Sequence, residues 1–145
     1  MTTTVVASET LWLDPLDPAG PRERFDHDAL VEQGLSLIEL EEGELALFVE
    51  LARVLDDGEA SVIAVAAHRR LQVATDDRKA LRLASSQSPP IETVRTTELV
   101  KQWANSSASN ERLVGKVLRS IAKRSNYTPR RDDPEFGWWM SAIDA

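Results

Sequence analysis

Cysteine is missing from the 145-residue chain, and histidine occurs only as His27 and His68. The first absence excludes disulfides, thiolate metal sites and cysteine nucleophiles, and is neutral about redox compartment. Two histidines are too few for a histidine-based zinc site, so any metal would need oxygen ligands. Glycine and proline are sparse, at six and seven residues, which sets the chain apart from disordered and fibrous compositions. No apolar run approaches the roughly 18 residues needed to span a bilayer. The opening MTTTVVASETLWLDP lacks both the basic n-region and the cleavable apolar core of a secretory signal. A cytoplasmic protein with no membrane partner is expected. Its length suits one domain over 1–145.

Acidic charge dominates overall, with a net of -7, yet it is unevenly spread. Residues 1–59 carry three basic and 15 acidic side chains, whereas residues 60–145 carry 14 basic and nine acidic ones. A basic half can attract phosphate even in an acidic chain.

TTTVVAS is β-branched and predicts a short strand, followed by a helical turn in SETLWL capped by Ser8. DPLDPAGPRERFDHD, with Pro15, Pro18, Gly20 and Pro21, is a loop. ALVEQG predicts a short helix ended by Gly34, and LSLIEL a strand. Apolar residues at 45, 48, 49, 52 and 55 predict an amphipathic helix over 41–55. EASVIAVAAHRR is apolar on every side, as a buried helix would be. A short strand in LQVAT, a helix in DDRKALRLASSQ, a strand in IETVR and a helix in TTELVKQWANSS follow. Helices alternating with strands argue for a mainly parallel sheet covered by helices on both faces, a three-layer α/β/α arrangement.

Two acidic clusters flank the buried helix and the strand after it. Asp56 and Glu59 have the spacing of a capping box, and Thr75 reads as an N-cap with Asp76 and Asp77 in the first helical turn. The competing reading is joint. About ten helical residues run back roughly as far as a five-residue strand runs forward, so Glu59 and the Asp76–Asp77 pair should share the carboxyl edge of the sheet. Carboxylates gathered there would repel one another unless a divalent cation neutralised them.

The stretch LDDGEASVIAVAAHRRLQVATDDRKALRLA resembles the C-terminal signature of PIN-like nuclease domains. In that family an acid opens a buried Ala-rich helix, and a T-x-D or DD motif follows the next strand. VVASETLWL is similar to an earlier PIN segment, a strand leading into an acid-bearing helix, which maps the acid to Glu9. The resemblance covers about residues 3–104 and leaves a helical extension and aromatic tail over about 109–145. It implies a metal-dependent endoribonuclease, often the toxin of a toxin–antitoxin pair, with a ring of acids holding Mg²⁺ or Mn²⁺. Carried over residue by residue, that ring is Glu59, Asp77, Asp76 and Glu9, with Asp77 favoured by the T-x-D spacing. An antitoxin and a second copy of the chain are the implied protein partners. PIN domains also open with a strand ending in aspartate, followed by a helix, and nothing before Val5 supplies either. An N-terminally incomplete PIN-like domain with weakened metal affinity is therefore expected. The alternative is a noncatalytic PIN-like binding or interaction protein.

Beyond the resemblance, NERLVGKVLRSIAKRS places Arg112, Lys116, Arg119 and Lys123 on one helical face, extended in sequence by Arg124, Arg130 and Arg131. Such a stripe fits RNA phosphates, and equally fits an ordinary solvated face. Trp138 and Trp139 are candidates for base stacking or for pinning the tail to a core. His68 carries a structural expectation, since no acid lies near it in sequence.

Overall fold

A computed structural model describes residues 3–6, 27–32, 34–106 and 110–144. The chain is mixed α/β and divides into two compact units, residues 1–93 and 94–145. The expected turn in SETLWL and the proline-rich loop up to residue 26 lie outside the described residues, and the loop's last two residues, His27 and Asp28, prove helical.

In the first unit, β1 (Thr3–Val6) and β2 (Leu35–Ile38) pair in parallel, with Thr3 opposite Leu35 and Val6 opposite Ile38. Parallel neighbours need a long crossover, and α1 (His27–Glu32) lies within it. Gly34 then reverses the chain at φ 89°, a left-handed conformation that costs glycine nothing sterically. The helix expected over 41–55 is split. A 3-10 turn at Glu42–Glu44 leads into α2 (Leu45–Leu51), and residues 52–55 loosen into turns. Both Leu51 and Leu55 are buried, so the turns keep two apolar side chains on the core before Asp56 starts a new helix.

That helix, α3 (Asp57–Arg69), is buried as its all-round apolar character predicts: Ala60, Ile63, Ala64, Val65 and Ala66 are each at most 3% exposed. Arg70 closes it in the left-handed region at φ 54°. β3 (Val73–Ala74), α4 (Arg78–Ser85) and β4 (Thr93–Val94) follow in order. The Val73 N–H donates to the Glu92 carbonyl at 2.9 Å. β3 and β4 form a second two-stranded sheet, so the described strands make two small sheets where alternation predicts one. Ala60, Ile63 and Ala66 of α3, Val73, and Ala80 and Ala84 of α4 belong to one hydrophobic core. Small side chains let these elements approach closely.

The second unit contains α5 (Thr96–Ser106), α6 (Glu111–Ser125) and α7 (Phe136–Ile143). Asn110 caps α6 by accepting the Leu113 N–H at 2.8 Å. Val114, Leu118 and Trp139 form its core, and Val100, Ala104, Ile121 and Tyr127 pack against them. The aromatic tail is therefore a helix and part of a core. Trp139 is 1% exposed and meets Tyr127 and Trp138 edge-on, with ring centroids 5.4 and 6.4 Å away. Edge-to-face contacts of this kind add to the burial of the rings themselves. Gly115 makes the helix contact possible, because a Cβ there would lie 2.8 Å from the Ala142 carbonyl oxygen.

Candidate functional site

Each acidic cluster sits at the start of a helix, where unpaired backbone N–H groups attract carboxylates. Asp56 caps α3 by accepting the Glu59 N–H at 2.9 Å, and Asp57 and Glu59 occupy its first turn. At α4 the cap is Asp77, correcting the expectation for Thr75. Oδ1 of Asp77 accepts the Lys79 and Ala80 N–H groups at 2.7 and 2.8 Å, while the Thr75 hydroxyl oxygen accepts the Asp77 N–H at 3.1 Å. Thr75 lies two residues before the cap, too early to reach the helix's free donors, and shapes the turn into it.

Glu59 and Asp76 are half-buried, whereas Asp77 is exposed. Oxygen donors of this kind suit a hard cation such as Mg²⁺ or Mn²⁺. Among the described residues, however, no group of three or more histidines and acids is close enough to hold a metal ion. Glu9, the fourth acid of the expected ring, lies outside the described residues. The described acids alone therefore do not make a metal site. A cavity of about 380 Å³, lined in part by Arg70, Leu71, Pro89, Pro90 and Ile91, lies at the other end of α3.

Two buried acids outside the expected ring hold close polar contacts. Glu44 is 2% exposed and is gripped by Arg69: Nε reaches Oε1 at 2.6 Å and Nη2 reaches Oε2 at 2.9 Å. Arg69 also meets Glu41 at 3.2 Å and donates to the Glu39 carbonyl at 2.9 Å. The Glu41 N–H donates to Glu44 Oε2 at 2.8 Å, completing a capping box at the 3-10 turn. The Arg69 hydrogen bond lowers the Glu44 pKa below 4.5 despite burial, which pushes the other way; the Glu41 N–H and the charges of Arg69 and His68 add to the lowering. His68 itself is exposed. In the second unit the buried carboxylate of Asp133 accepts the Thr97 hydroxyl at 2.9 Å, the Glu135 N–H at 2.8 Å and Arg95 Nη1 at 3.3 Å. Lys101 pairs with Glu135 and lies 5.9 Å from the Trp138 ring centre. The signal for Glu44 was present in sequence as the three-residue spacing from Glu41. Asp133 offered none.

On α6, Arg112, Lys116, Arg119 and Lys123 are all exposed. Trp139 is unavailable for stacking because it is core, and Trp138 is half-buried beside it. No helix among the described residues is long and apolar enough to cross a membrane. No protein-family model, curated protein or solved structure matches the chain.

Proposed function

We propose that the chain is a PIN-like, three-layer α/β/α domain acting as an endoribonuclease that depends on Mg²⁺ or Mn²⁺, of the kind that serves as a toxin held by an antitoxin. The observation that carries this reading is the α3–β3–α4 passage. Ala60 follows Glu59, Val73 precedes Asp76, and Ala80 lies one turn beyond Asp77; all three apolar residues are buried in one core. The acids in the first turn of α3 and at the cap of α4 thus neighbour one packed centre, which supports this reading. Glu59 and Asp76 are the half-buried members, and Oδ1 of Asp77 caps α4, leaving its second oxygen for an ion; Glu9, the fourth acid of the resemblance, lies outside the described residues. A bound ion would supply an activated water and neutralise charge developing on phosphate oxygens. The chain's own contribution would be to hold the ion by these carboxylates and the RNA by basic side chains of α6.

A second reading is favoured by a specific observation: no metal-competent group of three forms among the described residues. On that reading the chain is a noncatalytic PIN-like interaction protein. Cleavage of single-stranded RNA in Mg²⁺ or Mn²⁺, measured for the wild type and for Glu59→Gln, Asp76→Asn and Asp77→Asn, separates the two. The nuclease reading expects metal-dependent cleavage that falls about 100-fold in Glu59→Gln, a loss of about 3 kcal/mol of transition-state stabilisation. Equal cleavage by all four proteins sinks the site, and no cleavage by the wild type in either metal selects the noncatalytic module.

A further inference from the structure

Residues 94–145 contain nine Lys and Arg against six Asp and Glu, whereas residues 1–93 contain eight against eighteen. A polyanion is therefore drawn to the second unit and repelled by the first. Much of the positive charge there is already engaged: Arg95 is paired with Asp133, Lys101 with Glu135 and Arg130 with Asp132. What remains is concentrated on α6. At 100° per residue, positions 112, 116, 119 and 123 fall within about 60° of arc, and the buried Val114 and Leu118 point away from them.

The structure divides these four residues. Arg119 Nη1 donates to the Ile143 carbonyl at 2.5 Å, at the last turn of α7, where a cation complements the negative end of the helix dipole. Its guanidinium folds over Gly115, 3.2 Å from where a Cβ would stand. Arg112, Lys116 and Lys123 are exposed, and none has an ion pair among the described residues. They are spread over 11 residue steps, or about 16 Å of a straight helix.

We infer that Arg112, Lys116 and Lys123 form a line of three phosphate contacts for single-stranded RNA, and that Arg119 holds α7 in place of contacting the ligand. This rests on the RNA reading above and extends it to a surface that works without a metal. The Lys116 and Lys123 ammonium groups act as point charges on phosphates and the Arg112 guanidinium pairs with phosphate oxygens, none of them needing a base and hence a sequence. A flexible single strand can follow a straight line of charges, whereas a duplex strand winds away from it. An acidic peptide would need apolar anchors, and Leu113 is the one large exposed apolar side chain of α6 among the described residues.

The test is fluorescence anisotropy of the full chain with a labelled, mixed-sequence single-stranded RNA in EDTA, which removes metal-dependent cleavage. Three phosphate contacts at about 0.7 each give a slope of log affinity on log salt of about -2, so affinity should fall about 18-fold from 50 to 200 mM salt. Each of Arg112→Ala, Lys116→Ala and Lys123→Ala should flatten the slope by about 0.7, and the triple variant should bring it near zero. Arg119→Gln should keep the wild-type slope while lowering the unfolding temperature. A triple variant that keeps the wild-type slope overturns the inference, as does an Arg119→Gln slope reduced as far as that of Arg112→Ala. Wild-type binding that is absent, or matched by an RNA duplex or a poly-glutamate peptide, overturns it too. A wild type that binds RNA in EDTA but cleaves none in Mg²⁺ or Mn²⁺ defeats the nuclease reading and leaves this one standing.

Discussion

One substitution, glycine to alanine, should have opposite effects at two positions of the second unit. Gly137 lies in the first turn of α7 with nothing within 4 Å of where its Cβ would stand. Alanine there costs no contact and reduces the freedom of the unfolded chain, for a gain of about 0.5–1 kcal/mol. Gly115 lies within α6, where alanine is intrinsically preferred by about 1 kcal/mol. Its added methyl would meet the Ala142 backbone oxygen at 2.8 Å and the Arg119 guanidinium at 3.2 Å. Ordinary contact begins near 3.4 Å, so α7 must retreat by several tenths of an ångström. Overpacking typically costs about 1–3 kcal/mol. Losing the Arg119–Ile143 hydrogen bond adds about 0.5–1.5 kcal/mol. The propensity gain is outweighed, and Gly115→Ala should destabilise by about 1–2 kcal/mol. Urea unfolding followed by tryptophan emission reads this directly, because Trp103, Trp138 and Trp139 all belong to the second unit. Stabilisation of both variants alike would refute the close approach of α6 to α7.

Further outcomes follow from the buried acid and the caps. Glu44 has its folded pKa below its unfolded value, so its stabilisation is complete above about pH 4.5 and is lost as pH falls through the folded pKa. Urea stability should therefore decline on acidification below that value, less steeply in Glu44→Gln, and identical slopes would remove the pair as the cause. Asp77→Ala should cost about 1 kcal/mol through loss of the α4 cap, whereas Asp77→Asn, which retains a capping oxygen, should unfold within about 0.5 kcal/mol of wild type. Any loss of cleavage in Asp77→Asn would then be a loss of charge at the site; an equally unstable Asn variant would break that separation.

Periodicity and local chemistry were enough to place most of the elements. The all-round apolar character of residues 59–70 marked a buried helix, and Gly34 and Asp56 marked a helix end and a helix start, because these signals depend on neighbours within a few residues. The two-residue length of β3 and β4 was not legible, since strand length depends on which partner supplies backbone hydrogen bonds. The break of the 41–55 helix was hidden for a similar reason: its apolar spacing is helical throughout, yet Leu51 and Leu55 are buried through a chain that turns between them.

At the candidate site, sequence alone determined the residue types: oxygen donors without cysteine, and acids at two helix starts. Which side chain caps α4 was decided by the structure, because Thr75 and Asp77 are both capable and only backbone geometry selects between them. Tertiary packing likewise chose Trp139 for the core, gave Arg119 to the end of α7 and left Arg112, Lys116 and Lys123 exposed on the same face. Side chains alike in chemistry and helical phase were separated by what lies opposite each of them. That distinction exists only once distant parts of the chain have met.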